Sequence, residues 1–171
     1  MKLKTLFLLL ATFFISINLH AQDNPPKPLD ISFLNLIEGT WTGQSDMMGA
    51  KMNEEVVFRM DMNKQFLIIN LSAVSDDKAH TYTGLGVYGC DAQNNVTSWW
   101  FDDWGVASVS TGTGKIDAMT LTLQSKNATG TSSRSMELTG GKLVMKWTAN
   151  WKDANGKDQT MSSETTYTKK Q

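Results

Sequence analysis

Cysteine is almost missing from this chain. Its 171 residues include one, Cys90, so no disulfide can form within it. Only two histidines accompany it, His20 and His80, too few for a His/Cys zinc site. The three prolines, Pro25, Pro26 and Pro28, all fall between Asp23 and Asp30, leaving the rest of the chain free to run in unbroken elements. Charge is scarce at 19%, with a net value of −1, so no basic field is available for nucleic acid. No apolar run reaches the ~20 residues that cross a bilayer as a helix. What the chain does have is 10 methionines and 6 tryptophans in a length suited to one domain.

The N-terminus reads as an export signal. Lys2 and Lys4 precede an apolar run from Leu6 to Ile17, broken only by Thr12 and Ser16, and the small residue Ala21 follows. Cleavage is expected after Ala21, before Gln22, giving a periplasmic or secreted protein with no membrane span. No cysteine stands near the cut to carry a lipid. Removing residues 1–21 leaves about 150 residues and moves the net charge from −1 to −3, because two lysines and no acids depart. A domain of ~150 residues buries about 68–70% of its unfolded surface and needs no disulfide staples. Residues 22–30 form a proline-rich linker, and the domain proper is expected over 31–171.

Ile31–Ile37 places apolar residues at 31, 33, 34, 36 and 37, which fits a short helical turn ended by Gly39. Thereafter the period is two. In Lys142–Lys152, Leu143, Met145, Trp147, Ala149 and Trp151 share one face and Lys142, Lys146, Thr148, Asn150 and Lys152 the other. Glu55–Met62 alternates likewise, with Val56, Phe58, Met60 and Met62 on one side. Further strands are expected at 40–46, 65–74, 81–90, 96–103, 106–111, 116–125, 131–139 and 158–169. The turns between them are expected at Asn63-Lys64, 91–95, Gly112–Gly114, 127–130, Gly140-Gly141 and 153–156. About ten sequential strands joined by short turns make an all-β fold, an antiparallel up-and-down barrel that closes to remove its edges.

Two motifs carry a family resemblance. Leu36–Gly43 reads L-I-E-G-T-W-T-G and contains G-x-W-x-G, and Gly84–Asp91 reads G-L-G-V-Y-G-C-D ahead of Trp100-Phe-Asp102. Their order resembles lipocalin-like (calycin) barrels and, more narrowly, the secreted bacterial domain-of-unknown-function family 1579, over roughly residues 33–168. Cys90 departs from the pattern, standing where that family usually has tyrosine. The resemblance implies a lipocalin-like β-barrel with a small-molecule pocket and transfers no activity. Haem-binding relatives of such barrels, the nitrobindins, place a ligand histidine near the C-terminal end. This sequence has none after His80, so no haem, other cofactor or metal is expected.

Other motifs have plain readings. Gly84–Gly89 matches G-x-G-x-x-G, but no helix follows to receive a phosphate, so these are strand glycines. Cys90 lacks a base and orienting partner other than His80 and reads as a bystander thiol. Asp102 and Asp103 are strand neighbours pointing to opposite faces, so they cannot act as a dyad. An inward member needs a partner, Arg59 or Arg134, the only arginines. Asp153–Asp158 superficially resembles a calcium loop, yet Asn155-Gly156 suits a hairpin turn.

The bulky inward faces point to function. Phe58, Met60, Met62, Tyr82, Tyr88, Trp100, Met145, Trp147 and Trp151 are expected inside, although Trp99, Trp100, Phe101 and Trp104 leave the parity of their strand open. A ten-strand barrel is wider than the ~8-strand case whose lumen side chains just fill. The leading reading is therefore a small apolar or amphipathic ligand. Met60, Tyr82, Trp100, Asp102, Met145, Trp147 and Trp151 would line the pocket, and Arg59 would orient the ligand's polar end. The alternatives are a non-catalytic interaction barrel, a homodimer included, and an enzyme using Asp102 as base.

Overall fold

The computed structural model describes residues 26–47 and 49–171. The export signal, its cleavage site and the first part of the linker lie outside the described residues. From residue 26 the linker runs without regular structure and is tied down. Asn63 Nδ2 donates to the Pro26 carbonyl at 2.9 Å, and Gln65 Nε2 donates to the Lys27 carbonyl at 2.7 Å.

One helix, α1 (Ser32–Ile37), precedes ten strands. These are β1 (Gly39–Met47), β2 (Ala50–Asp61), β3 (Phe66–Ser75), β4 (Thr81–Cys90), β5 (Asn95–Asp102), β6 (Ser110–Asp117), β7 (Thr120–Lys126), β8 (Gly130–Thr139), β9 (Lys142–Lys152) and β10 (Asp158–Lys169). Each pairs antiparallel with its sequence neighbours, and β1 pairs with β10 to close the barrel. The closing ladder sets Trp41 opposite Lys169 and Thr42 opposite Thr168. Lys169 Nζ donates to the Leu36 carbonyl at 3.0 Å, tying that seam to α1.

The two ends of the barrel differ. At one end α1 buries Phe33, Leu34 and Ile37 among the inward residues Trp41, Val56, Phe58, Leu67, Ile69 and Tyr167. Trp41 Nε1 donates to the Ile37 carbonyl at 2.7 Å, using a carbonyl that the short helix leaves orphaned. Aromatic and branched side chains on period-two faces fill this end to core density. Outward positions there and beyond carry polar residues such as Lys142, Lys146, Thr148 and Lys152, so the wall faces water and its apolar side faces inward.

Three expectations shift. Gly112 and Gly114 do not turn the chain but lie within β6. A Cβ at Gly114 would sit 1.9 Å from the Thr122 carbonyl oxygen and one at Gly112 2.3 Å from Ser125 Oγ, so only glycine lets β7 come so close. The true turn follows at Ala118, with φ +48. Residues 106–108 form a 3-10 turn rather than a strand. Met62, expected inside, is 63% exposed, because Met62, Asn63 and Lys64 all take left-handed backbone in the β2–β3 turn.

If α1 plugs the closed end, Phe33→Ala leaves a cavity there and costs about 3–5 kcal/mol. Urea denaturation of the two proteins measures it, and a loss well under 1 kcal/mol contradicts the plug.

Candidate functional site

Inward side chains change character along the strands. On β8 the inward series runs Leu138, Met136, Arg134, Ser132, Gly130 from the closed end to the open one. On β7 it runs Leu121, Leu123, Ser125, and on β10 Tyr167, Thr165, Ser163, Met161. Bulky apolar groups give way to serine, threonine and glycine, so the open half of the barrel stays unfilled. The result is a cavity of about 460 Å³. Aromatic and thioether groups line it: Tyr82, Trp100, Met145, Trp147 and Trp151. Hydroxyls from Ser98, Ser110, Ser125, Ser132, Ser163 and Thr165 are set among them, Ser163 opposite Trp147 and Thr165 opposite Met145 in the ladder.

Arg134 sits where core meets cavity. Its guanidinium carbon lies 4.2 Å from the centroid of the Trp100 ring, a cation–π contact. Arg134 Nη1 donates to the Tyr88 hydroxyl at 2.9 Å. Burial opposes the charge, but the phenols of Tyr88, Tyr82 and Tyr167 more than offset it, and its pKa is raised. Trp100 reaches this position because β4 offers a flat bed. Gly86 is opposite Trp100 in the ladder, and Cβ atoms at Gly84 and Gly86 would come 2.3 and 3.0 Å from the indole. The glycine motif thus makes room for a ring and not for a phosphate.

A second buried group is Glu54 on β2. Its carboxylate accepts from the hydroxyls of Ser45 and Tyr167. Burial pushes the Tyr167 phenol far above its ordinary value, and the Glu54 carboxylate adds to the shift. Burial likewise raises Tyr82, with Asp102 contributing. The Cys90 thiol is pushed up to about 11, by burial first and then by Asp91.

Asp102 stands at the cavity mouth and organises the loop that follows β5. One carboxylate oxygen accepts from the Ser108 hydroxyl and from the Trp104 N–H at 3.1 Å; the other accepts from Tyr82 at 3.3 Å. Tyr82 in turn accepts from Trp100 Nε1 at 3.0 Å. Trp104 meets Tyr82 edge to face at 6.5 Å and remains 64% exposed at the rim. Asp103 points the other way and accepts from Thr83 N at 2.9 Å.

Of the residues singled out from sequence, Tyr82, Trp100, Asp102, Met145, Trp147 and Trp151 come together around this cavity. Two do not. Arg59 lies at an outward position of β2, with a side chain 55% exposed and ion-paired to Asp61. The Met62 N–H and the Arg59 guanidinium hold the Asp61 carboxyl below its usual range. Met60 faces inward but packs against the closed-end core, away from the cavity. The arginine inside is Arg134. Neither arginine pairs with Asp102 among the described residues; hydroxyls and an N–H satisfy it instead. His80 is exposed in the β3–β4 connection. Even-numbered residues of β5 face inward, which settles its parity: Trp100 is inside and Phe101 is 41% exposed outside.

Two outcomes follow. Gly84→Ala should push the Trp100 indole off Arg134. Near-ultraviolet circular dichroism is expected to change while the far-ultraviolet strand signal stays, and an unchanged near-ultraviolet spectrum contradicts the bed. The second concerns pH. Cys90, Tyr82 and Tyr167 keep their protons in the fold above the pH at which the unfolded groups release them. Their contribution is complete below the ordinary thiol value of 9.0 and is lost as pH rises past it, through about 11 for Cys90. The urea midpoint should therefore fall between pH 8 and pH 10.5; a flat profile contradicts it.

No protein-family model matches the sequence, and no curated protein matches it significantly. Among solved structures the fold is similar to "Crystal Structure of Rv2717c from M. tuberculosis", with 14% identity and a TM-score of 0.63. The match covers 82% of this chain and 99% of that one. The chain is a closed ten-strand antiparallel β-barrel sharing its architecture with that protein.

Proposed function

We propose that this chain holds a small amphipathic molecule in the open half of its barrel. The observation that carries the reading is the unfilled volume of about 460 Å³ lined by aromatic side chains and hydroxyls together. Small-molecule sites fall in the range of ~300–1,000 Å³ and combine mostly apolar walls with a few placed polar groups. Trp100, Trp147 and Trp151 offer flat apolar area, and Met145 and Met161 adapt to shape. The N-terminal pattern of Lys2, Lys4 and the run to Ile17 supports export to the periplasm or beyond. The motifs at 36–43 and 84–102 support a place among lipocalin-like barrels of the domain-of-unknown-function 1579 kind.

A second reading has one observation in its favour. Leu85 and Phe101 face each other across β4 and β5 on the outer wall, and both are exposed. That pair suits contact with a partner, including a second copy of the chain. The enzymatic reading draws less support. Both oxygens of Asp102 are engaged by protein donors, Ser108, Trp104 and Tyr82.

Tryptophan-fluorescence titration of the full chain with medium-chain amphiphiles, paired with native mass spectrometry after incubation in lipid extract, tests the leading reading. Saturable binding at one site is expected, and Trp147→Ala should weaken it about tenfold, which is ~1.4 kcal/mol. A protein that takes up no molecule and shows no saturable change contradicts it.

A further inference from the structure

We propose that the bound molecule carries a carboxylate and enters head first, its carboxylate completing the guanidinium of Arg134 at the cavity floor. This rests on the ligand-binding reading above and adds the chemistry and orientation of the ligand.

Arginine presents five N–H donors and never loses its charge in a protein. Among the described residues, one acceptor is supplied to Arg134, the Tyr88 hydroxyl at 2.9 Å. One face of the guanidinium lies on Trp100. The ion pairs among the described residues join Arg59 to Asp61, Lys146 to Glu164, Lys152 to Asp158 and Lys170 to Glu55; none includes Arg134. A cation deep in a barrel without a counter-charge is costly unless something else supplies one. Glu54, whose carboxylate accepts from Ser45 and Tyr167, makes no ion pair with Arg134 among the described residues. Arg134 lines the cavity, so a group within the cavity can reach it.

A second unmet polar group lies in the same row of the wall. Arg134 opposes Trp147, and Trp147 opposes Ser163. The Ser163 hydroxyl is buried and has no partner among the described residues. Cation and hydroxyl lie in one row of the cavity wall, each with hydrogen-bonding capacity unmet.

Charge selects the head group. A single carboxylate balances a single guanidinium and matches its planar fork. A doubly charged phosphate would leave one surplus negative charge in the cavity, and an ammonium head would be repelled by Arg134. Length selects the tail. From Arg134 to Gly130 at the rim of β8 is about 13 Å of strand. That depth suits an alkyl chain lying along Trp147, Trp151 and Met161 with its end at the mouth.

The test is a head-group series on the full chain, read by tryptophan fluorescence: dodecanoate, dodecyl phosphate, dodecanol and dodecylamine. Dodecanoate is expected to bind at least tenfold more tightly than dodecanol, with dodecylamine weakest. In Arg134→Met that preference should vanish while dodecanol binding persists. The series on the unaltered protein decides the matter even if the variant fails to fold. Equal binding of dodecanoate and dodecanol overturns the head-in assignment and leaves the cavity reading intact. Tighter binding of dodecyl phosphate than dodecanoate overturns the choice of carboxylate. Binding of none of the four overturns the cavity reading itself.

Discussion

Everything in this structure depends on closing ten strands into one ring. The ring is sealed where β1 meets β10, at Trp41 opposite Lys169 and Thr42 opposite Thr168. Closure removes every sheet edge, and it also fixes a diameter larger than an eight-strand barrel's. Side chains from ten strands reach the axis in the closed half only with the help of Phe33, Leu34 and Ile37 from α1. No such plug is described at the other end. The inward residues there include Ser125, Ser132, Ser163 and Gly130, too small to meet across the lumen. The core stabilises the ring, and the ring holds the cavity open.

The barrel was legible because period two is a strong signal. β9 shows it without interruption from Leu143 to Trp151, and most strands are bounded by glycine, asparagine or aspartate. The boundary of β6 was not. Gly112 and Gly114 look like turn residues in sequence, and their real cause is the close approach of β7, which no local pattern reveals. Glu54 was missed for a related reason. The face of Val56 and Phe58 extends back to Glu54 and Met52, but a carboxylate at an inward position reads as the end of a strand. Its partner Tyr167 lies 113 residues away and supplies the missing logic.

The site was half legible. Aromatic residues on an alternating face announce themselves, so Trp100, Trp147 and Trp151 could be placed inside. Serines such as Ser163, set opposite Trp147, carry no such local signal. The choice between two arginines could not be made locally. Arg59 follows Phe58 on a strand whose odd positions face water, whereas Arg134 sits among serines, with only Met136 and Leu138 beyond it to mark its face. Pairing with Trp147 on β9 fixes it inward.

A cation at the cavity floor lies below a passage ending at Trp104 and Trp151. A crystal structure of the protein with 12-bromododecanoate tests that geometry most directly, because anomalous scattering locates the tail end of the chain. Bromine is expected at the open mouth, near Trp104 or Trp151, and the carboxylate against Arg134. Bromine beside Arg134, or a molecule bound only outside the barrel, would contradict it.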